Sequence, residues 1–169
     1  MKQLITTISI LLGFLSLLNG QDRLNIEFSK EAGKYAESID VVLSSDLGAK
    51  LHYTIDGTRP SNASTRYSKP IKIKKTTVIR AVAYSGRVKG RIFTQSYFIN
   101  ENTTYPIVSI SIAPEILFDK TTGWFNPGPN AEPEYPYINA NFWSRKEVGA
   151  NIEIFETNGE QVFNSRAGI

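Results

Sequence analysis

The chain has 169 residues, with 19 Lys and Arg against 16 Asp and Glu, one His and no Cys. A cysteine-based zinc site, a disulfide framework and a thiol nucleophile are thereby excluded, and a single imidazole cannot make a two-histidine metal site. Hydrophobic residues at 41% and charged residues at 21% are ordinary for a globular chain, of a length for one domain or two small ones.

Residues 1–20 read as a secretory signal peptide. Lys2 gives a positive start, and an apolar run from Leu4 to Leu18 follows, shorter than the ~20 residues of a membrane span. Gly20 supplies the small residue before cleavage, although Leu18 is larger than usual two positions earlier. No Cys follows, so a lipoprotein anchor is excluded, and no transmembrane span is expected after cleavage. Export of a chain without cysteines favours a bacterial protein that is extracellular, at the cell surface or periplasmic.

Short strands separated by turns come next. Leu24–Phe28 and Leu51–Ile55 alternate apolar and polar residues, and Ser38–Leu43 lies between them. Asp56-Gly57 is a turn signal, because Gly accepts positive φ and Asp can bond its own following backbone. Ile71–Ile73, Val78–Tyr84 and Arg91–Ile99 complete the set. Strands with turns every ~8–12 residues predict an all-β fold, an immunoglobulin- or fibronectin-like β-sandwich over 21–100. The alternation Leu51, Tyr53, Ile55 leaves His52 on the opposite, solvated side, with no second His or nucleophile elbow to make a triad.

Charge is segregated along the chain. Residues 50–91 carry eleven basic side chains and only Asp56 as an acid, a net of +10, between flanks of −3 (21–49) and −5 (92–169). In Ile71-Lys72-Ile73-Lys74 a strand puts both Ile on one face and both Lys on the other. Lys72, Lys74 and Lys75 are then either a cationic face for an anionic polymer or a solvated face whose lysines protect a sheet edge. Nucleic acid is not expected, since no recognition-helix or RNA-binding signature accompanies the charge.

Tyr53-Thr54-Ile55-Asp56-Gly57-Thr58-Arg59-Pro60, then Tyr67, Pro70-Ile71, Thr76–Tyr84 and Tyr97, resemble in order and spacing the C-terminal β-sandwich module of chitobiase and β-hexosaminidase-type proteins, over about 28–99. The resemblance implies a non-catalytic accessory module attached to carbohydrate-active or surface proteins. In physical terms, Asp56-Gly57 turns one strand into the next, Pro60 stiffens the loop, and Tyr53, Tyr67 and Ile71 can fill the core.

After a linker at 101–104 the composition changes. Tyr105–Ile112 is a β-rich run opened by Pro106, and Pro114–Asp119 predicts one helical turn with Pro at its start. Thr121–Asn141 is a long irregular loop rich in Gly, Pro, Asn and aromatic residues, the kind retained for binding or packing. Asn151–Glu156 and Gln161–Phe163 bracket Thr157-Asn158-Gly159-Glu160, a hairpin signal. A hairpin plus one strand buries too little to stand alone, so 105–169 is expected to be an incomplete β-rich segment.

Pro106–Ile112, Pro114–Asp119, Gly123, Asn141-Phe142-Trp143, Ile152–Glu156, Asn158-Gly159 and Ala167-Gly168-Ile169 resemble the opening of the spore-coat CotH kinase-like family, over about 105–169. The resemblance implies the front of a secreted or surface-associated atypical protein kinase, often preceded by such a sandwich. No catalytic, cofactor-binding or metal-binding residue is carried over; ATP and a divalent metal belong only to a longer parent. No phosphate-binding glycine motif is present. Partners expected are the remainder of that kinase-like domain and a cell-surface polysaccharide or anionic polymer. Trp124, Phe125, Tyr135, Tyr137 and Trp143 are candidates for stacking on sugar rings, with packing as the alternative. Asp119, Asn126 and Glu132 match no calcium-loop spacing.

Overall fold

A computed structural model describes residues 24–45, 48–144 and 146–169. The signal peptide read over 1–20 lies outside the described residues. Nine strands form the first part: β1 (Glu27–Phe28), β2 (Gly33–Tyr35), β3 (Ile39–Val41), β4 (Leu43–Ser44), β5 (Lys50–Thr54), β6 (Thr65–Arg66), β7 (Ile71–Ile73), β8 (Thr77–Ser85) and β9 (Val88–Ile99). A five-stranded sheet in the order β2-β9-β8-β5-β6 faces two short sheets, β1-β4 and β3-β7. The β2–β9 pair is parallel, and every other pair is antiparallel.

The core follows from alternation. Leu51, Ile79, Ala81, Ala83, Tyr97 and Ile99 point inward from the large sheet and meet Leu24, Ile26, Val41, Leu43, Ile71 and Ile73. The fold is therefore all-β and sandwich-like, as the spacing predicts. The Ser38–Leu43 run is two strands instead of one: Val41 and Leu43 are buried, Val42 between them is exposed, and the chain changes partner there from β7 to β1. Asp56-Gly57 opens a long loop before β6 instead of a tight hairpin. Asp56 Oδ1 accepts hydrogen bonds from the Thr58 N–H and hydroxyl, which hold its pKa below the ordinary carboxylate value, and Gly57 has φ 82°.

The second part contributes β10 (Ile107–Ser111), a single helical turn α1 (Pro114–Phe118), β11 (Gly149–Phe155) and β12 (Gln161–Gly168). β10-β11-β12 form an antiparallel sheet, with the expected hairpin joining its last two strands. This sheet lies on the outer face of the five-stranded one. Phe155 packs edge-on against Phe98 at 5.0 Å between ring centroids, and Asn164 Nδ2 donates to the Thr94 carbonyl. The hairpin turn touches β2 so closely that a Cβ on Gly33, at φ 151°, would meet the Gly159 carbonyl oxygen at 2.6 Å.

At the centre of the contact is Glu153, fully buried. Oε1 accepts from the Ser96 N–H (3.0 Å) and Gln161 Nε2 (2.8 Å), and Oε2 accepts from the Ser96 hydroxyl (2.6 Å). β9 pairs with β8 on one side at Ser96 and with β2 only from Tyr97 onward, so the Ser96 N–H faces an open strand edge. The carboxylate supplies the acceptor that a neighbouring strand would otherwise provide. Burial raises the Glu153 pKa above its ordinary value of 4.5, with the Ser96 and Gln161 bonds acting in the opposite direction.

Two outcomes follow from this arrangement. Glu153→Ala leaves the Ser96 N–H buried without an acceptor and should destabilise the chain by about 2–3 kcal/mol in urea unfolding; a loss under about 0.5 kcal/mol would mean the contact is not formed. Because the folded pKa is raised, the protonated form contributes stability that is present below pH 4.5 and lost as pH rises through the folded value. Glu153→Gln, which can keep the same contacts by reversing the Ser96 hydroxyl, should flatten that pH dependence in melts from pH 4 to 8.

Candidate functional site

The Thr121–Asn141 loop holds its shape through its own polar groups. Asp119 Oδ1 accepts from the N–H groups of Thr121 and Thr122 and from the Thr122 hydroxyl, and these donors hold its pKa below the ordinary value. The chain then folds back on α1, where the Trp124 and Phe125 N–H groups donate to the Ile116 and Leu117 carbonyls. These satisfy carbonyls that the end of a helix leaves open. Asn126 Nδ2 reaches the Phe118 and Asp119 carbonyls, while Asn141 Nδ2 reaches those of Thr121 and Gly123. Asp119 and Asn126 are thus spent on loop closure, and Asn126 turns its amide nitrogen, not its oxygen, to the turn.

This framework presents aromatic side chains outward. Tyr135, Tyr137, Phe142 and Trp143 form a chain of edge-to-face contacts, with centroids 6.4, 6.4 and 5.4 Å apart. Trp143 sits on a 3-10 turn, Asn141–Trp143, and its indole N–H donates to the Pro136 carbonyl at 2.9 Å. Trp143 as a residue remains 58% exposed. It borders an open depression of about 650 Å³ that also takes in Pro136, Ile138 and the polar side chains of Asn130, Asn139, Asn141 and Ser144. One aromatic face beside several amides matches a sugar ring, with its C–H face and equatorial hydroxyls.

Of the five aromatic candidates, the structure brings Tyr135, Tyr137 and Trp143 together and adds Phe142. Phe125 stands apart, packed on Phe118 at 5.4 Å, and Trp124 is half-buried, with no aromatic partner among the described residues. The rings are steeply inclined to one another, so the cluster is not a flat platform, and Trp143 is the ring that borders the depression.

The basic candidates are placed as the alternation predicts. Ile71 and Ile73 are buried, and Lys72, Lys74 and Lys75 are exposed. Lys72 faces Asp40 across β3–β7 at 3.9 Å, leaving Lys74 and Lys75 as the projecting cations of that edge. The rest of the basic block is dispersed: Arg91 lies over the Phe93 ring at 4.5 Å, and Arg80 is buried on the other side of the sheet with Nη1 on the Gly57 carbonyl. His52 is also on that side, yet buried and not solvated. Its Nδ1 lies 2.9 Å from the Ser64 carbonyl and its ring packs edge-on against Tyr84. The loop returning to β6 covers it, which local alternation does not report.

Glu153, Ser96, Arg80 and Arg166 escape a sequence reading. Glu153 stands between Ile152 and Ile154 in a pattern that assigns it to solvent, and only docking of the second sheet reverses that assignment. Among the described residues no helix is long and apolar enough to cross a membrane. The chain matches no curated protein. Residues 30–94, from β2 to the middle of β9, match the family description Chitobiase/beta-hexosaminidase C-terminal domain, a carbohydrate-associated module family.

Proposed function

We propose that the chain is the non-catalytic N-terminal part of an exported, cell-surface protein of the CotH kinase-like type, with the sandwich as its accessory module. The observation that supports this reading is the outer face of the second sheet. Register aligns Val108, Ile154 and Phe163 in one row and Ile110 with Ile152 in the next. Val108, Ile110 and Phe163 are 59%, 54% and 46% exposed. A contiguous apolar sheet face of this kind is normally covered by another layer. The remainder of the same kinase-like domain is the layer this reading assigns to it, and ATP and a divalent metal belong with that remainder. Incubated with magnesium and labelled ATP, the 169-residue chain should transfer no phosphate, whereas a longer product of the same gene should. Phosphotransfer by the chain alone would sink the non-catalytic reading.

The Trp143 depression favours a second reading, a secreted protein that binds carbohydrate or an anionic polymer by itself. In that case Trp143→Ala should weaken retention on an insoluble polysaccharide at least about tenfold, as loss of an aromatic anchor does. Trp124→Ala, outside the cluster, should leave retention unchanged. If retention instead collapses with salt and with Lys74→Ala and Lys75→Ala, the ligand is held by charge at the sheet edge and not by stacking.

A further inference from the structure

A second polar row lies beside the Glu153 contact and is only partly satisfied: Asn151 Nδ2 donates to Asn164 Oδ1, while Ser111 Oγ is buried without a partner. Register places Ser111, Asn151 and Arg166 side by side across the second sheet, two residues along from Ser109, Glu153 and Asn164. Since Glu153 and Asn164 reach the sandwich, strand alternation turns Asn151 and Arg166 toward it as well. There they meet Arg80 of β8 and Arg59 of the loop after β5 around a crevice of about 20 Å³. Gly149 lines its other side, and a Cβ there would come within 3.1 Å of Arg166 Nη2, so the absent side chain makes room for the guanidinium.

Three guanidinium groups converge here, and among the described residues none of them makes an ion pair. Among the described residues the one ion pair is Lys72–Asp40, on the opposite layer. Arg80 is 7% exposed, and its Nε is buried with no hydrogen-bond partner; Ser111 Oγ is in the same condition. Burial, then the Arg59 charge, holds the Arg80 pKa below its ordinary value; Glu115 opposes this and Arg166 adds to it. Desolvating a cation among other cations is costly unless an anion compensates it. The crevice adjoins a groove of about 730 Å³ that shares Arg166, Asn151 and Thr94 and adds Arg91, Gln95 and Asn164.

We propose that the crevice between Arg59, Arg80 and Arg166 is an oxyanion site. It admits one water-sized group, so a single carboxylate, sulfate or phosphate oxygen enters and the rest of the ligand lies in the groove. Guanidinium groups suit this chemistry, because their permanent charge and N–H donors give an oxyanion oxygen charge-assisted hydrogen bonds. The oxyanion is either a free inorganic anion or the acid group of a saccharide whose ring lies along the amides of the groove.

The test is calorimetric titration of the full chain with sodium sulfate, with trigalacturonic acid and with a neutral trisaccharide, at one ionic strength. Sulfate or trigalacturonate should bind saturably, and Arg166→Gln should weaken that binding at least about tenfold, as expected for a lost charged hydrogen bond. Any heat from the neutral sugar should be the same in Arg166→Gln, because the crevice holds only an anion. Trigalacturonate binding about tenfold tighter than sulfate assigns the site to an acidic saccharide, and equal affinities assign it to a free inorganic anion. Arg166 is exposed, so the variant should fold; Arg59→Gln, also exposed, serves if a melt shows that it does not. Absence of binding by both anions, or binding unchanged in the arginine variants, overturns the proposal.

Discussion

The arrangement of the molecule depends on one buried carboxylate. Glu153 reaches from the middle strand of one sheet to the open edge of another, and there it accepts both the backbone and the hydroxyl proton of Ser96. A strand edge that is neither paired nor solvated must find such a partner, because an unbonded amide inside protein is more costly than the bond itself is stabilising. Ser109 extends the chain of bonds to β10, with its hydroxyl 2.8 Å from that of Ser96. Each strand of the second sheet therefore sends a polar side chain to β9: Ser109, Glu153 and Asn164.

Such a contact fixes position more than it adds stability. An apolar interface tolerates sliding, whereas a carboxylate committed to one amide, one hydroxyl and one glutamine does not. With Phe155 against Phe98 on one side and Gly159 against Gly33 beyond it, the sheet is held at three separated points. The loop that carries the aromatic cluster starts and ends on this sheet's own strands. Its exposed rings are therefore anchored at both ends, and Asn141 ties the two arms together by reaching the Thr121 and Gly123 carbonyls.

The elements themselves were largely readable from pattern. Alternation locates β5, β7 and the inward face of β8, and Pro114 marks the start of α1; Asn158-Gly159 marks the hairpin. Each of these signals is local, and the strand signals survive because the face they mark as apolar is the one the sandwich core buries. What alternation misses is the far side of the large sheet. Arg80, Thr94 and Ser96 occupy positions that period two assigns to solvent, and all are buried. His52 is missed for the same reason, since it is covered by the loop that leads into β6. Within the candidate site, composition singles out the aromatic loop, but it does not distinguish Trp143, which borders the depression, from half-buried Trp124.

The basic block shows most plainly why charge along a sequence does not become a charged surface. In a strand, neighbouring cations leave on opposite faces, and in a sandwich those faces belong to different environments. Lys72 pairs with Asp40 in the open, while Arg80, eight residues on, is enclosed beside Arg59 and Arg166. Of the eleven cations of residues 50–91, ten are exposed and dispersed where water screens them, and Arg80 alone is enclosed. Screening makes the exposed share weak and salt-sensitive. The enclosed share retains its field, because few surrounding dipoles can answer it. The least screened cation of the block is therefore Arg80, at the junction of the two sheets, in a position that the strand pattern alone would have placed in solvent.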